Sequence, residues 1–438
     1  MPYLGNTPTT QSFISGTDYF NGTGSQTAFT LSRTVASIND IQVTVNNVVQ
    51  QPNDAYTISG TTLTMTSAPS SGTNNVYVRY LSTTTQAITP SQGTVSWNTL
   101  DSNIQQDLGI SFKNRIINGA MMIDQRNNGA SVSAVDSYPV DRWQYEASQA
   151  SKFTLQQNQG SVTPPAGFTN YIGATSSSSY SVSATDFFFI GQRIEGFNVA
   201  DLNWGTANAK TVTLSFWVRS SLTGTFGGSL VNGAGNRSYP YSYTISAANT
   251  WEQKSVTIAG DTSGTWVANN GLGIRLNFNL GTGSTYSGTA GAWAGTYYSA
   301  PTGATSVVGT NGATFYITGV QLEVGTQATT FTTAGGSYGA ELALCQRYYW
   351  QCTDTIGLAI NTNNISRTPV SMPVPMRAAP TLVSGASFTV SGGSAGTPLI
   401  AIGTGYPATV TAVWIYNSSN NWSLSQAVQL NGGFTAEL

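Results

Sequence analysis

Apolar and polar residues alternate along most of this chain with the period of two that is typical of β-strands. Residues 41–45 place three apolar side chains on one face of such a strand, and residues 211–219 place four on another. Segments rich in Gly, Ser and Asn separate these stretches and supply turns. The pattern therefore predicts an all-β protein built of antiparallel sandwich or jelly-roll-like modules, with two short helices.

The character of the sequence changes along the chain, and each change predicts a module boundary. Residues 1–85 contain short alternating stretches that predict an N-terminal β module. Residues 86–112 combine a linker rich in Thr, Ser, Gln and Pro with a short helical pattern. Residues 113–335 alternate throughout and predict a central sandwich, and residues 336–438 predict a C-terminal β module that begins with a helix.

Two stretches delimit the predicted central sandwich. Residues 114–126 (NRIINGAMMIDQR) come directly after the linker, and residues 315–331 (FYITGVQLEVGTQATTF) end the long alternating region. We expect them to be its first and last strands. A domain whose terminal strands pair has its entry and exit close together, which suits insertion between two other modules. Residues 281–312 are long for a connection and predict a packed or partner-covered loop.

Two segments have a helical period. In residues 97–112, three apolar residues spaced four apart form one narrow stripe on an otherwise polar helix. This stripe either packs on the neighbouring sandwich or meets copies of itself around a symmetry axis. Residues 338–351 predict a second helix, with Ser337 available as its N-cap.

Local turn signals predict where strands end. Residues 46–47 (Asn-Asn) predict a hairpin turn, and residues 59–60 (Ser-Gly) predict a break between two strands. Near the other end of the chain, residues 410–416 and 422–430 predict a hairpin over an Asn-rich turn. This terminal hairpin contains most of the candidate binding residues.

Charged residues are scarce. They make up 8% of the 438 residues, and the formal net charge is −2. Because phosphate binding needs clustered Lys and Arg, nucleic acid is a poor partner. The sequence predicts neither a membrane span nor a signal peptide. Residues 276–322 contain no charge, and residues 355–436 contain no acid and no lysine. A monomer does not normally expose such surfaces, so they predict a homotrimer whose subunits cover them.

The residue types present limit the possible chemistry. The chain contains no histidine, which excludes Ser-His-Asp and Cys-His catalysis and any His-containing zinc site. We therefore expect no catalytic residue, no metal site and no cofactor, and we expect Cys345 and Cys352 to be buried and unpaired. Two carboxylates would suffice to cleave a glycoside. The candidates are Asp124, Asp136, Asp141, Asp186 and Glu195, none of which stands in a pattern that singles it out.

Aromatic residues beside asparagines are the remaining candidates for a binding site. In the predicted terminal hairpin, Trp414 and Tyr416 share one face of their strand. Such rings either stack on a sugar, whose hydroxyl groups bond to neighbouring amides, or fill an interface between subunits. The predicted glycan-binding residues are Tyr406, Trp414, Tyr416, Asn417, Asn421 and Trp422.

Several segments resemble those of appendage proteins of tailed bacteriophages. The opening MPYLGN, with YFNGTGSQTAFTLS, INDIQVTVNNVVQQP, YTISGTTLTMTSAP and NNVYVRY, resembles an N-terminal module that recurs in phage tail fibres. The segments NRIINGAMMIDQR, LSFWVRS, TWEQKSVTIAG, FYITGVQLEVGTQAT, ELALCQRYYW and VPMRAAPT are similar to central and C-terminal modules of such proteins, often described as carbohydrate-binding-like. The resemblance covers most of the chain.

This resemblance implies a receptor-binding tail fibre located on the virion and assembled in the host cytoplasm. Residues 1–85 would attach it to tail, baseplate or neck proteins, the middle would be a trimeric shaft or jelly roll, and residues 340–438 would point outward to a host surface polysaccharide. A purely structural collar or head fibre and a tailspike-type glycan hydrolase are the alternatives. Because no acidic pair stands out, we expect a binding protein and not an enzyme.

Overall fold

The computed structural model describes residues 16–81 and 113–438, apart from residues 354, 359, 363–364, 384–386, 391–400, 403–411 and 418–426. Only the backbone is described for the strand residues between 355 and 369 and for residues 387–390, 401–402, 412–417 and 427–431. The chain divides into two compact units, residues 1–99 and residues 100–438. The helix predicted at 97–112 lies outside the described residues.

The N-terminal unit is a small β structure, as the alternating pattern predicts. Its strands are β1 (Thr17–Gly22), β2 (Ala28–Val35), β3 (Ile41–Val45), β4 (Val48–Val49), β5 (Tyr56–Met65) and β6 (Gly72–Tyr80), with a 3-10 turn at Ile38–Asp40. Strands β1, β6, β3 and β4 form one sheet in that order, and β2 pairs with β5. Val43, Val78, Tyr56 and Leu63 are fully buried in the core that these sheets share.

One turn signal in this unit is confirmed and the other is wrong. Asn46 and Asn47 both have positive φ angles, 48° and 64°, as the tight turn between β3 and β4 requires. The break expected at Ser59 and Gly60 is absent, because β5 continues through both residues. Gly60 has a φ of 60°, so glycine supplies an unusual backbone conformation inside the strand without ending it.

Residues 113–335 form a β-sandwich. Its strands are β7 (Ser137–Val140), β8 (Trp143–Ala147), β9 (Phe153–Gln157), β10 (Ile172–Ser176), β11 (Phe187–Glu195), β12 (Val212–Ser220), β13 (Gly224–Asn232), β14 (Ser238–Ile245), β15 (Glu252–Ile258), β16 (Leu272–Thr282), β17 (Ser287–Gly288), β18 (Ala300–Pro301) and β19 (Thr314–Val324). Short 3-10 turns lie at Gln159–Ser161, Gly196–Asn198, Ala200–Leu202 and Ser284–Tyr286.

The two sheets of the sandwich are antiparallel, as predicted. One has the strand order β15-β12-β19-β10-β9, and the other has the order β14-β13-β16-β11-β8-β7. Val212, Leu214, Phe216 and Val218, whose alternation predicted β12, all lie in the core. The core therefore lies where the pattern along the strands places it.

The segment 114–126 is not the strand that the sequence predicted. Its backbone is a series of turns. It nevertheless lies beside the last strand of the sandwich, because the Arg115 N–H donates to Leu322 O. The Asn114 side chain replaces further ladder bonds, since it donates to Val320 O and accepts from the Leu322 N–H. The entry and exit of the sandwich are thus adjacent, through isolated backbone bonds and the Asn114 side chain instead of a paired strand.

The C-terminal part contains one helix and two further sheets among the described residues. Its elements are α1 (Tyr338–Gln346), β20 (Tyr349–Cys352), β21 (Thr355–Leu358), β22 (Ile360–Thr362), β23 (Ile365–Ser371), β24 (Thr381–Leu382), β25 (Ser387–Val390), β26 (Ala401–Ile402), β27 (Ala412–Asn417) and β28 (Ala427–Thr435). Strands β20, β21, β24 and β25 pair with β28, and the other sheet has the order β22-β23-β27-β26.

The second predicted helix is confirmed in part. Ser337 is its N-cap and accepts a hydrogen bond from the Ala340 N–H, as expected. The helix ends at Gln346, however, and residues 349–352 form strand β20, where the sequence predicted a helix to residue 351. The aromatic pair Tyr349-Trp350 fits the strand better, because Trp350 stacks on Phe434 of β28.

The predicted terminal hairpin is wrong. Strand β27 pairs with β23 and β26, whereas β28 pairs with β20, β21, β24 and β25, so the two strands lie in different sheets. Alternation of apolar residues identified both strands, but it does not specify the partner that each strand pairs with. The boundary predicted at 335/336 runs through the second compact unit.

Candidate functional site

The outward face of the six-stranded sheet carries aromatic and charged side chains. In β11, Phe188 and Ile190 belong to the core of the sandwich. Because successive side chains of a strand point to opposite faces, Phe187, Phe189 and Arg193 point outward. Phe187 and Arg193 are partly exposed, whereas Phe189 is 1% exposed, so part of this face is open to solvent.

Charged residues of three neighbouring strands meet on this face. The strand register places Glu146 of β8 opposite Phe189 and Arg275 of β16 opposite Arg193. Arg193 donates to Glu146 Oε1 at 3.0 Å, and Arg275 Nη1 lies 3.9 Å from Glu146 Oε2. The side chains of Arg193, Glu146 and Arg275 are 23%, 13% and 22% exposed. We call these three residues the Glu146 cluster, which a ligand can reach from solvent.

A row of aromatic rings borders the Glu146 cluster. Phe187 packs against Tyr286 with ring centroids 5.6 Å apart, and Tyr286 packs against Tyr297 at 5.8 Å. The Arg275 guanidinium lies 6.0 Å from the centroid of the Tyr297 ring. All three rings are partly exposed. Tyr286 and Tyr297 come from the long connection at 283–313, so this connection supplies part of the site.

Polar groups complete this surface. Burial raises the pKa of the Tyr297 hydroxyl, whereas the neighbouring Arg275 lowers it, and the net shift is upward. The hydroxyl is therefore a neutral donor at physiological pH. Gly191 lies between Gln144 and Asn277 in adjacent strands, and the side-chain oxygens of both have no hydrogen-bond partner among the described residues. Partly exposed rings thus lie beside the Tyr297 hydroxyl, whereas these two amide oxygens are buried beneath the surface.

Three of the carboxylates considered for glycoside cleavage lie in turns, as such residues often do. Asp124 accepts from the backbone N–H groups of Asn127 and Gly129. Asp186 accepts from the Ser183 N–H and from the Tyr180 hydroxyl. Asp136 is exposed and has a φ of 60°. None of these arrangements faces a second carboxylate across a cleft.

Glu195 joins the sandwich to the C-terminal part. Its carboxylate accepts from both Nε and Nη2 of Arg347, at 3.0 and 2.6 Å, and from the Tyr348 hydroxyl at 2.7 Å. The Glu195 side chain is 1% exposed. A buried carboxylate with three donors is held in one position, so this residue has a structural role.

Asp141 belongs to a second buried network across the same boundary. It accepts from Gln125 at 2.6 Å and lies 3.4 Å from Arg126, whose other terminal nitrogen donates to Glu437 at 2.9 Å. The Asp141 side chain is 1% exposed. Polysaccharide cannot reach it, so we assign it no part in cleavage.

Stability should fall as the pH rises through about 6. Burial raises the pKa of Asp141 from 3.8 to about 6, although Arg126 opposes the shift. The folded protein therefore binds this proton more tightly than the unfolded chain, and the resulting stabilisation is complete below pH 3.8 and lost above pH 6. Denaturant titrations at about pH 5 and pH 7.5 should differ by about 1–2 kcal/mol. In Asp141→Asn the difference should shrink, and an unchanged difference would contradict this assignment.

The glycan-binding residues predicted from the sequence stay a prediction. Tyr406, Asn421 and Trp422 lie outside the described residues. Trp414, Tyr416 and Asn417 belong to β27, of which only the backbone is described, and the register places Tyr416 between Arg367 and Ala401. Sequence reasoning missed the outward face of β11. The alternation of Phe187, Phe189 and Arg193 with core residues was the signal that could have found it.

Three tryptophans at one end of the sandwich form a closed cluster. Trp204, Trp266 and Trp293 pack edge to face, with centroids 4.7, 5.3 and 5.5 Å apart. Each indole N–H donates to a backbone carbonyl. The adjacent cavity of about 50 Å³ is far smaller than the roughly 300 Å³ of a small-molecule pocket. We regard this cluster as packing.

Three further features concern the described residues: the two cysteines, membrane-spanning helices and metal-binding groups. Cys345 and Cys352 are both buried, as predicted. Within the described ranges, no helix is long and apolar enough to cross a membrane. The same residues contain no group of three acidic or cysteine side chains placed to hold a metal ion.

Comparisons with known proteins give weak similarities. No protein-family model and no curated protein matches the sequence. Solved structures with some similarity include the family 11 carbohydrate-binding module of a cellulosomal cellulase from Clostridium thermocellum, at 10% identity and a TM-score of 0.23 over 46% of this chain and 98% of that one. TmCBM61 in complex with β-1,4-galactotriose matches at 11% identity and a TM-score of 0.25, over 48% and 99% of the two chains. The CBM22-1 xylan-binding domain of Xyn10C from Paenibacillus barcinonensis matches at 10% and 0.23, over 46% and 95%. At these scores the similarities carry no argument about function.

Proposed function

We propose that this protein is a structural and adhesive appendage of a tailed bacteriophage virion, a homotrimeric tail fibre that binds a host cell-surface glycan. Its N-terminal unit attaches it to tail, baseplate or neck proteins. The support for the virion role is the set of sequence segments that resemble such fibres over most of the chain. The stretch 276–322, which has no charged residue, and the stretch 355–436, which has no acid and no lysine, support the trimer.

The outward face of the six-stranded sheet is the observation that carries glycan binding. Phe187, Tyr286 and Tyr297 offer partly exposed aromatic surface, on which the apolar face of a sugar ring can stack. Beside them, Glu146 and Arg275 supply an acceptor and donors for hydroxyl groups. A few convergent polar groups next to aromatic surface are typical of sites that bind small organic groups.

The predicted residues near the C-terminus form the second part of this proposal. Their rings and amides offer the same combination of stacking surface and hydrogen-bonding groups. A fibre whose C-terminal part points away from the virion would present them to the cell. This polarity is proposed from the resemblance and from the residues Tyr406, Trp414, Tyr416, Asn417, Asn421 and Trp422.

We propose binding without cleavage. Hydrolysis by two carboxylates needs both of them on either side of one glycosidic bond. Glu146 is tied to Arg193, and Glu195 and Asp141 are each 1% exposed within networks that join the two parts of the second unit. The catalytic alternative therefore has no supporting pair among the described carboxylates.

Replacing Tyr297 by alanine should weaken glycan binding by about 1–3 kcal/mol, the size expected for losing an aromatic anchor. The measurement is binding of the full-length protein to host cells or to their purified surface polysaccharide. Tyr19→Ala is the matched control, because this ring is 61% exposed in the N-terminal unit. The control should bind normally, and both variants should keep the melting temperature of the parent protein.

Two further arms separate the alternatives. Trp414→Ala and Trp422→Ala test the C-terminal residues, and loss of binding in these variants alone would move the site to the C-terminal part. A search for new reducing ends tests cleavage, and their release would overturn the non-enzymatic proposal. If no variant and no host polysaccharide gives binding, a purely structural fibre is the better description.

Light scattering of the same samples should give three copies, and a stable monomer would contradict the trimer.

A further inference from the structure

We infer that the glycan bound at the Glu146 cluster is acidic, and that Arg275 binds a carboxylate group of one of its sugars. This inference rests on the proposed function and names the chemical class of its ligand. The site for this class is defined by Arg275, the neighbouring Tyr297 ring and the Glu146–Arg193 ion pair.

The charge of the Glu146 cluster favours an anionic ligand. Two guanidinium groups, of Arg193 and Arg275, face one carboxylate, of Glu146, on the same side of the sheet. Glu146 is already engaged by Arg193 at 3.0 Å. Both arginines share this one carboxylate, so the three side chains together carry one net positive charge, which a ligand carboxylate would neutralise.

Arg275 differs from two other arginines of the same compact unit. Arg237 donates through Nε and Nη2 to the two oxygens of Asp261, both at 2.7 Å. Arg347 does the same with Glu195. Arg275, by comparison, lies 3.9 Å from the nearest Glu146 oxygen, beyond hydrogen-bond distance. Arg237 and Arg347 are thus each held at two points by one carboxylate, whereas Arg275 is not.

Arg275 has hydrogen-bonding capacity beyond its contact with the Tyr297 hydroxyl. Its Nε is buried and has no partner among the described residues. Its side chain as a whole is nevertheless 22% exposed, so the residue is open to solvent in part. A guanidinium is a planar fork that fits the two oxygens of a carboxylate, and such charge-assisted bonds are about twice as strong as neutral ones.

The geometry also explains why the carboxylate belongs to a sugar. The Tyr297 ring lies 6.0 Å from the Arg275 guanidinium and is partly exposed. A sugar stacked on this ring would place a ring substituent within reach of Arg275. A uronic acid carries its carboxylate as such a substituent. Tyr297 would then stack on the ring of this sugar, and Arg275 would bind its carboxylate.

The test compares matched acidic and neutral ligands. Full-length protein is titrated with a panel of purified bacterial capsular polysaccharides that contain uronic acids, and with the same polysaccharides after chemical reduction of their carboxyl groups. We expect binding to at least one acidic polysaccharide, with affinity at least tenfold lower after reduction. Arg275→Gln should lower affinity for the acidic form by at least tenfold and for the reduced form by much less, so that the preference for the acidic form is lost. Binding should also weaken as salt rises from about 50 to 300 mM.

Two variants provide controls. Arg79→Gln removes the same charge from an exposed arginine of the N-terminal unit and should leave binding unchanged. Arg275→Lys keeps the charge but loses the fork, so its affinity should lie between those of the parent protein and Arg275→Gln. If Arg275 only supports the Tyr297 ring, Arg275→Gln will weaken binding to acidic and reduced polysaccharides equally.

The failures of the two proposals are distinguishable. Equal affinity for acidic and reduced polysaccharides, with loss of both in Tyr297→Ala, would overturn the acidic ligand and leave glycan binding standing. Absence of binding to any polysaccharide, acidic or reduced, by correctly folded protein would overturn both. Loss of binding that appears in Arg79→Gln as strongly as in Arg275→Gln would show a nonspecific charge effect and would also overturn the site.

Discussion

Replacing Asn114 by alanine should lower the free energy of unfolding of the second compact unit by about 4 kcal/mol. The Asn114 side chain is fully buried. It donates to Val320 O and Thr332 O and accepts from the N–H groups of Ile116 and Leu322. Alanine would leave these four backbone groups without partners, at about 1–3 kcal/mol each before relaxation. Because neighbouring losses are not additive, the total is expected to be smaller than their sum.

The measurement is equilibrium denaturation, and Asn208→Ala is its control. Asn208 is exposed in the same unit, so the same chemical change should alter stability by less than about 0.5 kcal/mol. Asn114→Asp keeps the two acceptor contacts but loses both donations and buries a charge, so it should also be strongly destabilised. A loss below about 1 kcal/mol in Asn114→Ala would show that this side chain does not hold the entry of the sandwich to its last strand.

The packing of residues 114–126 also explains why their sequence predicted a strand. Five of its six apolar residues are buried and Met122 is partly buried, which is why the segment has the spacing of a strand. They enter two different cores, however. Ile116 and Met121 lie in the core of the sandwich, whereas Ile117 and Ile123 lie in the cluster beneath α1. A segment between two cores shows apolar residues on both sides without being a pleated strand.

Where a strand packs against a single core, the hydrophobic pattern of its sequence predicts the strand well. Strand β12 lies between two other strands and buries alternate residues in a single core, so the period of two gives both its bounds and its inward face. Strand partners are different, because they depend on contacts between residues far apart in the chain. Strands β27 and β28 were found, but their pairing was not.

The candidate site was harder to predict for a similar reason. Tyr297 and Arg193 are about a hundred residues apart in the chain, and the six-stranded sheet brings the long connection and β11 together. Nothing local in the sequence marks Tyr297 as a partner of Arg275. The sequence predicted the chemistry of a candidate site, namely aromatic rings beside polar groups. It also excluded catalysis that needs histidine.

The second large effect concerns Arg142, whose replacement by alanine should cost about 3–5 kcal/mol, the range expected when a buried ion pair loses one member. The Arg142 side chain is 2% exposed. Its guanidinium donates to Glu437 and to Arg193 O and lies 3.5 Å from the centroid of the Tyr348 ring. Alanine would leave Glu437 with Arg126 alone and would remove the packing on Tyr348.

Denaturation and limited proteolysis measure this prediction together. We expect Arg142→Ala to unfold at lower denaturant and to be cut more rapidly near residues 432–438, because those residues lose a contact with the sandwich. Arg219→Ala is the control, since this partly exposed arginine donates to a backbone carbonyl and pairs with no acid among the described residues. It should cost about 1 kcal/mol or less. If the two variants behave alike, Arg142 does not hold the two parts of the unit together.

Loosening of the C-terminal segment in Arg142→Ala should also weaken glycan binding. Arg193 donates to Leu438 O and, through its other terminal nitrogen, to Glu146. Arg142 therefore supports the Glu146 cluster indirectly, through a segment that ends on one of its arginines. In Arg142→Ala we expect weaker glycan binding at a temperature where the protein remains folded, with the same preference between acidic and reduced polysaccharides. A changed preference would mean that Arg142 contacts the ligand, which its burial argues against.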